Sequence, residues 1–374
     1  MIELFQKWFE NRHEYAEAWK KNTGGQVMGY YCSYVPEEIL YAADILPVRL
    51  PVSHEPRNLT EPHPSGMSCP LCQEGLSQGL QDRYDYLDGI MISPTYLLLP
   101  RAFTGRPLYI PVPFCCFPPP HQDQSPRAYP LLPAELTEFK KSIEEWTNKK
   151  ITDADLDRGL EILDESRLLM GQAFETRKKD NPPLTGLEAI YLRVSSQWID
   201  KREHNRVLKD VLEKELPTRD LRLGDQIRLM ILGSEDDDTE FVTMVESLDA
   251  KFVIDDHCSG TRYFWNEVIP AEDRLAAIAA RYVDRPPSPA KDWPLRRRLD
   301  HLLKLAKDWR AQGAIIIQQK FCDPQELDIL ALRQALDGVG VPSLFLELDV
   351  AVPVSQVKIR VEAFLEMLRP EDLF

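Results

Sequence analysis

The stretch GAIIIQQKFCDPQELDILALRQAL, residues 313–336, carries the clearest fold signal in the chain. Residues 314–317 are Ala-Ile-Ile-Ile, a short β-branched run typical of a buried strand. From Pro324 onward leucines recur at helical spacing, with Glu326 in the predicted first turn. Cys322 therefore lies where a strand gives way to a helix, at the sheet edge where open α/β proteins place their chemistry. A helix N-terminus there favours a thiolate over a thiol, although a cysteine in a turn can equally be a small buried residue.

The same alternation of strands and helices occurs on both sides of a charged, helical middle section. Because strands that alternate with helices favour parallel pairing, the sequence predicts an α/β protein with parallel sheets. We place an N-terminal α/β lobe with a leading amphipathic helix at 1–132, a helical connector at 133–222 and a C-terminal α/β lobe at 223–374.

Length and charge exclude several classes of protein. With 374 residues the chain is too long for one core of ordinary size, which predicts at least two domains. The net charge of -15 argues against a nucleic-acid partner, which requires a basic face. No run of about 18 apolar residues is present, so no membrane span is predicted. The N-terminal segment lacks the pattern of a signal peptide, which predicts a cytoplasmic protein.

The seven cysteines are not expected to form disulfides in a reducing compartment, which leaves core packing, nucleophiles or metal ligands. Three of them share the setting of Cys322, beside a strand end or a helix start: Cys32, Cys69 and Cys258. Cys72 forms a C-x-x-C pair with Cys69. The sequence has no second such pair and no H-x-x-x-H motif to complete a zinc site. Cys115 and Cys116 lie between phenylalanines and are interpreted as core residues. Spacing alone does not separate scattered iron–sulfur ligands from coincidence.

The segment IDDHCSGTRYFW, residues 254–265, allows two interpretations. Arg262 beside aromatic residues at a sheet edge suits a phosphate or a stacked nucleotide. Alternatively, an Asp–Arg pair ties the turn and the aromatic side chains lie in the core. The chain contains no P-loop, no G-x-G-x-x-G and no G-x-S-x-G, so these motifs supply no catalytic hypothesis.

Three stretches together resemble the benzoyl-CoA reductase and 2-hydroxyacyl-CoA dehydratase family: GYYCSYVPEEILYAADILPVRL, DDHCSGTRYFW and KFCDPQELDILALRQAL. More narrowly, the tail from KDWPLRRRLDHLLKL to QVKIRVEAFLEML resembles the smaller cluster-bearing subunit of the ATP-dependent benzoyl-CoA reductases. The resemblance covers nearly the whole chain and is strongest over residues 24–50 and 250–368.

This resemblance implies two flavodoxin-like α/β lobes joined by helices, with one [4Fe–4S] cluster between the lobes. The iron ligands carried over by motif are Cys32, Cys69 and Cys322. Further candidates for cofactor binding are Cys72 and Cys258. The predicted substrate contacts are Tyr34, Arg262 and Lys320. The resemblance identifies no catalytic residue in this sequence.

The resemblance also implies a function within a complex. The chain is expected to be an iron–sulfur subunit that takes part in reducing the aromatic ring of benzoyl-CoA or a close analogue with low-potential electrons. The implied partners are a paralogous cluster-bearing subunit, ATPase activator subunits, ferredoxin indirectly and the acyl-CoA substrate. Two alternatives stay open: a subunit of a 2-hydroxyacyl-CoA dehydratase, and a non-catalytic subunit that holds a cluster or assembles the complex.

Overall fold

The computed structural model describes residues 1–50, 69–93, 114–119, 124–234, 237–349 and 353–369. Within these ranges the chain forms two parallel four-stranded sheets. The strands of the N-terminal sheet are β1 (Val27–Tyr30), β2 (Leu46–Arg49), β3 (Gly89–Ile92) and β4 (Phe114–Cys116). The strands of the C-terminal sheet are β5 (Ile227–Gly233), β6 (Ala250–Asp256), β7 (Gly313–Gln319) and β8 (Ser343–Leu348). The prediction of an α/β protein with two parallel-sheet lobes is confirmed.

Both sheets have the same strand order. The N-terminal sheet runs β2-β1-β3-β4 and the C-terminal sheet runs β6-β5-β7-β8, which is the flavodoxin-like order in each lobe. In such a sheet the chain leaves the first strand in one direction and the third in the other. Ligands bind in the crevice that this reversal opens beyond the carboxyl ends of the strands. Each lobe therefore offers a crevice at the end of its first and third strands.

Helices cover the sheets and join the lobes. The helices of the N-terminal part are α1 (Glu3–Glu10), α2 (Arg12–Thr23), α3 (Glu37–Ala42) and α4 (Pro70–Leu80). Those between the sheets are α5 (Ala128–Thr147), α6 (Asp153–Glu175), α7 (Gly186–Ser195) and α8 (Lys201–Asp210). Those of the C-terminal part are α9 (Thr239–Glu246), α10 (Thr261–Phe264), α11 (Arg274–Asp284), α12 (Arg297–Asp308), α13 (Asp323–Glu326), α14 (Ile329–Asp337) and α15 (Val354–Leu368). None of the helices in the described ranges has the length and apolar character needed to cross a membrane.

The sequence accounts for most of these elements, with local differences. The run around Ile315 forms β7, which is buried along its whole length because helices cover both faces of a parallel sheet. The single leading helix is instead two helices separated at Asn11. The segment after Cys322 likewise forms two short helices, α13 and α14. Helix α5 begins at Ala128, slightly before the predicted connector, and the division into three domains stays a prediction.

Buried carboxylates at the start of α3 connect the lobes. Glu37 accepts hydrogen bonds from the hydroxyls of Tyr30, at 3.1 Å, and of Tyr263 in the C-terminal part. Glu38 is fully buried and pairs with Arg167 of the connecting helix α6. Burial alone would raise the pKa of Glu38, but the Arg167 guanidinium outweighs it and lowers the pKa below its ordinary value. Removing either Glu38 or Arg167 would leave the other as an uncompensated charge in the interior.

We predict that Gly233→Ala lowers the free energy of unfolding by at least about 2 kcal/mol. Gly233 ends β5 at a φ of 111°, and a Cβ atom there would lie 2.1 Å from the carbonyl oxygen of Ile317. Urea unfolding curves measure the change. The matched control is Gly171→Ala in α6, where a Cβ meets nothing within 4 Å. It should leave stability unchanged or raise it by up to about 1 kcal/mol. Equal effects of the two substitutions would contradict the prediction.

Candidate functional site

The carboxyl ends of strands from both sheets surround one cavity of about 90 Å³. This volume is several times the roughly 10–15 Å³ that accommodates one water molecule. Side chains from the N-terminal lobe that line it include Tyr31, Cys32, Ser33, Tyr34, Arg49 and Cys69. Side chains from the C-terminal lobe that line it include Ser234, Cys258, Arg262, Gln319, Cys322 and Gln325. The cavity therefore lies where the crevices of the two sheets meet.

Four cysteine thiols from separate elements line this cavity. Cys32 is the second residue after β1, and Cys69 occupies the N-cap position of α4. Cys258 is the second residue after β6, and Cys322 is the N-cap residue of α13. The three cysteines predicted as iron ligands thus face one space, and Cys258 joins them. The two lobes contribute two thiols each.

Cys72 occupies a different position. It is not among the described residues that line the cavity, and its side chain is fully buried. The two sulfur atoms are 3.6 Å apart. Because Cys69 alone of this pair faces the cavity, the geometry favours Cys69 over Cys72 as a cavity ligand. The side chains of Cys115 and Cys116 lie outside those that the structure describes.

The thiol of Cys322 does not show the expected preference for the thiolate. Burial, followed by the charges of Cys69 and Cys258, raises the pKa of Cys322 to about 12. The helix that follows has only four residues, so its dipole is too small to oppose burial. The expectation that the thiolate of Cys322 is stabilised is therefore wrong, because burial favours the neutral thiol. Several thiolates could share this cavity only if positive charge compensated them.

The donor set of four thiols is chemically compatible with an iron–sulfur cluster, whose iron atoms take thiolate ligands. In the described ranges no group of three or more His, Cys, Asp or Glu side chains has the geometry for a metal ion. Ligands of one ion converge on a single point, with Zn–S distances of about 2.3 Å. Thiols around a four-iron cluster each bind a different iron atom and stand farther apart. The four cysteines line one cavity, and the ligand type that they supply suits such a cluster.

Arg49 supplies a fixed positive charge at the cavity. Its Nε donates to the carbonyl oxygen of Tyr31 at 3.1 Å, and its Nη1 donates to Oε1 of Gln197 at 2.8 Å. Its Nη2 donates to the sulfur of Cys258 at 3.1 Å. The guanidinium is buried, so its charge acts on the sulfurs with little screening by water. Sequence reasoning missed Arg49, although a charged residue at the end of the apolar strand LPVR was a usable signal.

The three predicted substrate contacts fall in different places. Tyr34 lines the cavity, and the Arg285 guanidinium lies 3.7 Å from its ring centroid. Arg262 also lines the cavity, but its Nε is 3.2 Å from Oδ1 of Asp256. This contact of Arg262 agrees with the second interpretation of the segment, an Asp–Arg pair that ties the turn. Lys320 is not among the described lining residues, and its Nζ is 3.3 Å from Oδ2 of Asp349 near the surface.

A buried ionic network supports the turn that carries Cys258. The Nη2 of Arg298 is 2.7 Å from Oδ2 of Asp256, and its Nη1 pairs with Asp328. All three side chains are almost wholly buried. Burial alone would raise the pKa of Asp256, but the guanidiniums of Arg262 and Arg298 lower it below its ordinary value. Sequence reasoning missed this network because its members are distant along the chain.

We predict that Arg298→Met lowers the free energy of unfolding by up to about 3–5 kcal/mol, because the buried carboxylates of Asp256 and Asp328 lose a shared guanidinium and keep Arg262 and Arg296 as partners. The control is Arg310→Met, which removes an arginine paired with Asp180 at the surface. An exposed pair contributes less than about 1 kcal/mol, so this variant should be close to wild type. Denaturant unfolding of both variants measures the difference. Comparable stabilities would refute a supporting role for the network.

Comparison with known proteins relates most of the chain to subunits of enzymes that are named for their CoA-thioester substrates. The family model described as 2-hydroxyglutaryl-CoA dehydratase, D-component, matches residues 32–368. The chain is 24% identical to the (R)-phenyllactyl-CoA dehydratase beta subunit of Clostridium sporogenes, with 96% of each chain covered. It is 25% identical to a subunit of the benzoyl-CoA reductase of Thauera aromatica, with 87% of this chain and 86% of that protein covered. It is also 25% identical to the beta subunit of the (R)-2-hydroxyglutaryl-CoA dehydratase of Acidaminococcus fermentans, with 98% and 99% covered.

Proposed function

The chain belongs to the 2-hydroxyglutaryl-CoA dehydratase D-component family, and we propose that it is an iron–sulfur subunit of a complex that reduces the aromatic ring of benzoyl-CoA or a close analogue. The observation that carries this proposal is the cavity between the lobes, which four cysteine thiols line. The relatives named above are subunits of dehydratases or of a reductase, which supports action as part of an enzyme complex.

In this proposal Cys32, Cys69 and Cys322 hold a [4Fe–4S] cluster. Their placement on one cavity, at the ends of elements from both lobes, supports the assignment. Such a cluster supplies one-electron transfer at a potential set by charge, hydrogen bonds and burial. The chain itself contributes the buried, water-poor surroundings and the cation of Arg49. The Arg49 cation offsets part of the negative charge of the thiolates, whereas burial makes that charge more costly.

The proposed reaction explains why low-potential electrons are needed. An aromatic ring resists the addition of an electron, and conjugation with the thioester carbonyl lets one electron enter. We propose that an ATPase activator, itself supplied by ferredoxin, delivers these electrons, and that the complex also contains a paralogous subunit. Tyr34 and Arg262 line the cavity and remain the candidate substrate contacts. Lys320 lies near the surface and would contact only a part of the acyl-CoA outside the cavity.

Dehydration of a 2-hydroxyacyl-CoA is the second candidate function. Relatives with dehydratase names support it, among them the phenyllactyl-CoA and 2-hydroxyglutaryl-CoA enzymes. The same cluster serves either reaction, because both begin with an electron added to a thioester. A non-catalytic subunit that holds the cluster beside a catalytic partner is the third candidate, and the names of the relatives as individual subunits are compatible with it.

The first test is the iron and acid-labile sulfide content of the chain, purified anaerobically with its co-expressed partner subunits. We expect about four of each per chain. Cys32→Ser, Cys69→Ser and Cys322→Ser should each lose most of the iron while the circular dichroism spectrum stays native. Cys72→Ser is the matched control and should retain iron, because Cys72 is not among the described residues that line the cavity. Full iron retention in the Cys32 and Cys322 variants would exclude the proposed site.

Turnover distinguishes the two reactions. We expect the complex to consume electrons in proportion to the product formed from benzoyl-CoA, because ring reduction is a net reduction. A dehydratase would instead need only catalytic amounts of electrons, because each electron is returned when the product forms. Reductant consumption is measured against product by chromatography, with phenyllactyl-CoA as the comparison substrate. Sustained turnover of phenyllactyl-CoA after a single priming reduction would contradict the proposed reductase function and support the dehydratase function.

A further inference from the structure

The pair Cys69 and Cys72 at the start of α4 contains a thiol that the proposed cluster does not use. Cys69 is the N-cap residue and Cys72 is the third residue of the helix, and their sulfur atoms lie 3.6 Å apart. We propose that this pair is a redox modification site, at which hydrogen peroxide forms a Cys69–Cys72 disulfide in a chain without a cluster. The disulfide would withdraw Cys69 from iron binding. That consequence for iron rests on the proposed function, whereas formation of the disulfide does not.

The backbone already holds the two residues in a tight turn. The N–H groups of Cys72 and Gln73 donate to the carbonyl oxygen of Cys69 at 3.0 Å and 3.2 Å. Cys69 has an extended conformation outside the helix, and Pro70 suits the first helical position. The sulfur atoms of a disulfide are about 2.0 Å apart. Because the two sulfurs are already in contact, we expect rotation of the side chains to close the remaining distance while the first turn of α4 keeps its hydrogen bonds.

The two thiols differ in how a reagent reaches them. Cys69 lines the cavity, which partly exposed residues such as Cys32 and Cys322 connect with the surface. Cys72 is fully buried and is not among the described residues that line the cavity. A cavity of about 90 Å³ admits hydrogen peroxide, a molecule little larger than water. Peroxide therefore meets Cys69 first, and Cys72 lies beside it as the resolving thiol, which is an arrangement typical of redox-sensing cysteines.

The proposed oxidation has two steps, and its atoms and electrons balance. The sulfur of Cys69 attacks one oxygen of the peroxide, the O–O bond breaks, and the leaving hydroxide takes up the thiol proton as water, which gives a sulfenic acid on Cys69. The sulfur of Cys72 then attacks the Cys69 sulfur, the S–O bond breaks, and a second water leaves. The two thiols together lose two electrons and two protons, and the peroxide that accepts them becomes two molecules of water. A thiol reductant reverses the reaction by thiol–disulfide exchange.

Such a disulfide would protect a chain that has lost its cluster. Thiolates are the iron ligands of iron–sulfur clusters, so Cys69 in the disulfide would hold no iron until it is reduced. Oxidation that ends at a disulfide is reversible, whereas further oxidation to a sulfinic acid is not. In a chain with a cluster, Cys69 would ligate iron and would not pair with Cys72. The oxidation state of the pair would therefore depend on whether the cavity holds a cluster.

Peptide mapping of the full-length chain tests the disulfide directly. Both cysteines fall on one tryptic peptide, residues 58–83, which contains no other cysteine. The chain is freed of iron with a chelator, reduced, desalted, treated with hydrogen peroxide, and alkylated after denaturation. We expect most copies of this peptide to resist alkylation and to be lighter than the reduced peptide by two hydrogen atoms. In Cys72→Ser the peptide should instead carry a sulfenic or sulfinic acid on Cys69. Cys322→Ser is the matched control and should form the disulfide as the wild type does.

Alkylation of both cysteines on peptide 58–83 after peroxide treatment would overturn the proposal, and so would a disulfide that joins Cys69 to a cysteine on a different peptide. The wild-type map decides between these outcomes even where a variant does not fold.

Iron uptake tests the consequence for the cluster. The metal-free complex is treated with peroxide and then offered ferrous iron and stoichiometric sulfide, with or without prior reduction by a phosphine. We expect about four irons per chain after the phosphine and at most about half as many without it. Cys72→Ser should stay low in iron even after the phosphine, because a sulfinic acid is not reduced.

Equal iron uptake by the wild type with and without the phosphine would overturn the effect of the pair on cluster binding. A complex that was never oxidised and still takes up no iron would instead contradict the proposed function itself. The peptide map needs no iron, so the two failures are distinguishable.

Discussion

The hydrogen bond from Tyr263 to the buried carboxylate of Glu37 joins the parts of the two lobes that carry the cavity thiols. Glu37 stands five residues after Cys32, and Tyr263 stands five residues after Cys258. This one contact therefore links the segment that carries a thiol in the first lobe to the segment that carries a thiol in the second. The neighbouring Glu38–Arg167 pair attaches the same turn to the connecting helix α6. Burying these charges is costly, and their mutual satisfaction offsets that cost.

The cavity combines sulfur ligands with cations that are already held in place. Arg49 contacts the sulfur of Cys258, while Arg298 and Arg262 neutralise Asp256 beneath the same turn. Burial raises the pKa of Cys322, so thiolate charge is unfavourable in this cavity. Fixed guanidiniums and the iron of the proposed cluster would act in the same direction, because both would compensate negative sulfur in a medium of low dielectric constant.

Local patterns in the sequence were sufficient for the fold and for part of the candidate site. Alternating strands and helices predicted both parallel sheets, and the position of Cys32 and Cys258 just after strands placed them at the sheet edge. Contacts distant in sequence were not predictable in this way. Arg49 donates a hydrogen bond to Cys258, which lies 209 positions later in the sequence. The sequence also did not indicate that burial raises the pKa of Cys322 more than the following helix lowers it. The sequence could not tell whether Cys69 or Cys72 faces the cavity, since the two lie within one turn at the start of the same helix.

The division of the thiols between two lobes imposes an order on biosynthesis. Cys32 and Cys69 are translated well before Cys258 and Cys322, with the whole helical middle section between them. A nascent chain, or one truncated before β7, presents too few of these thiols to retain a cluster of the proposed kind. A cluster of the proposed kind could therefore form only after Cys322 has been synthesised and the second lobe has docked on the first. Iron capture would in this way act as a checkpoint that only full-length, correctly assembled chains pass.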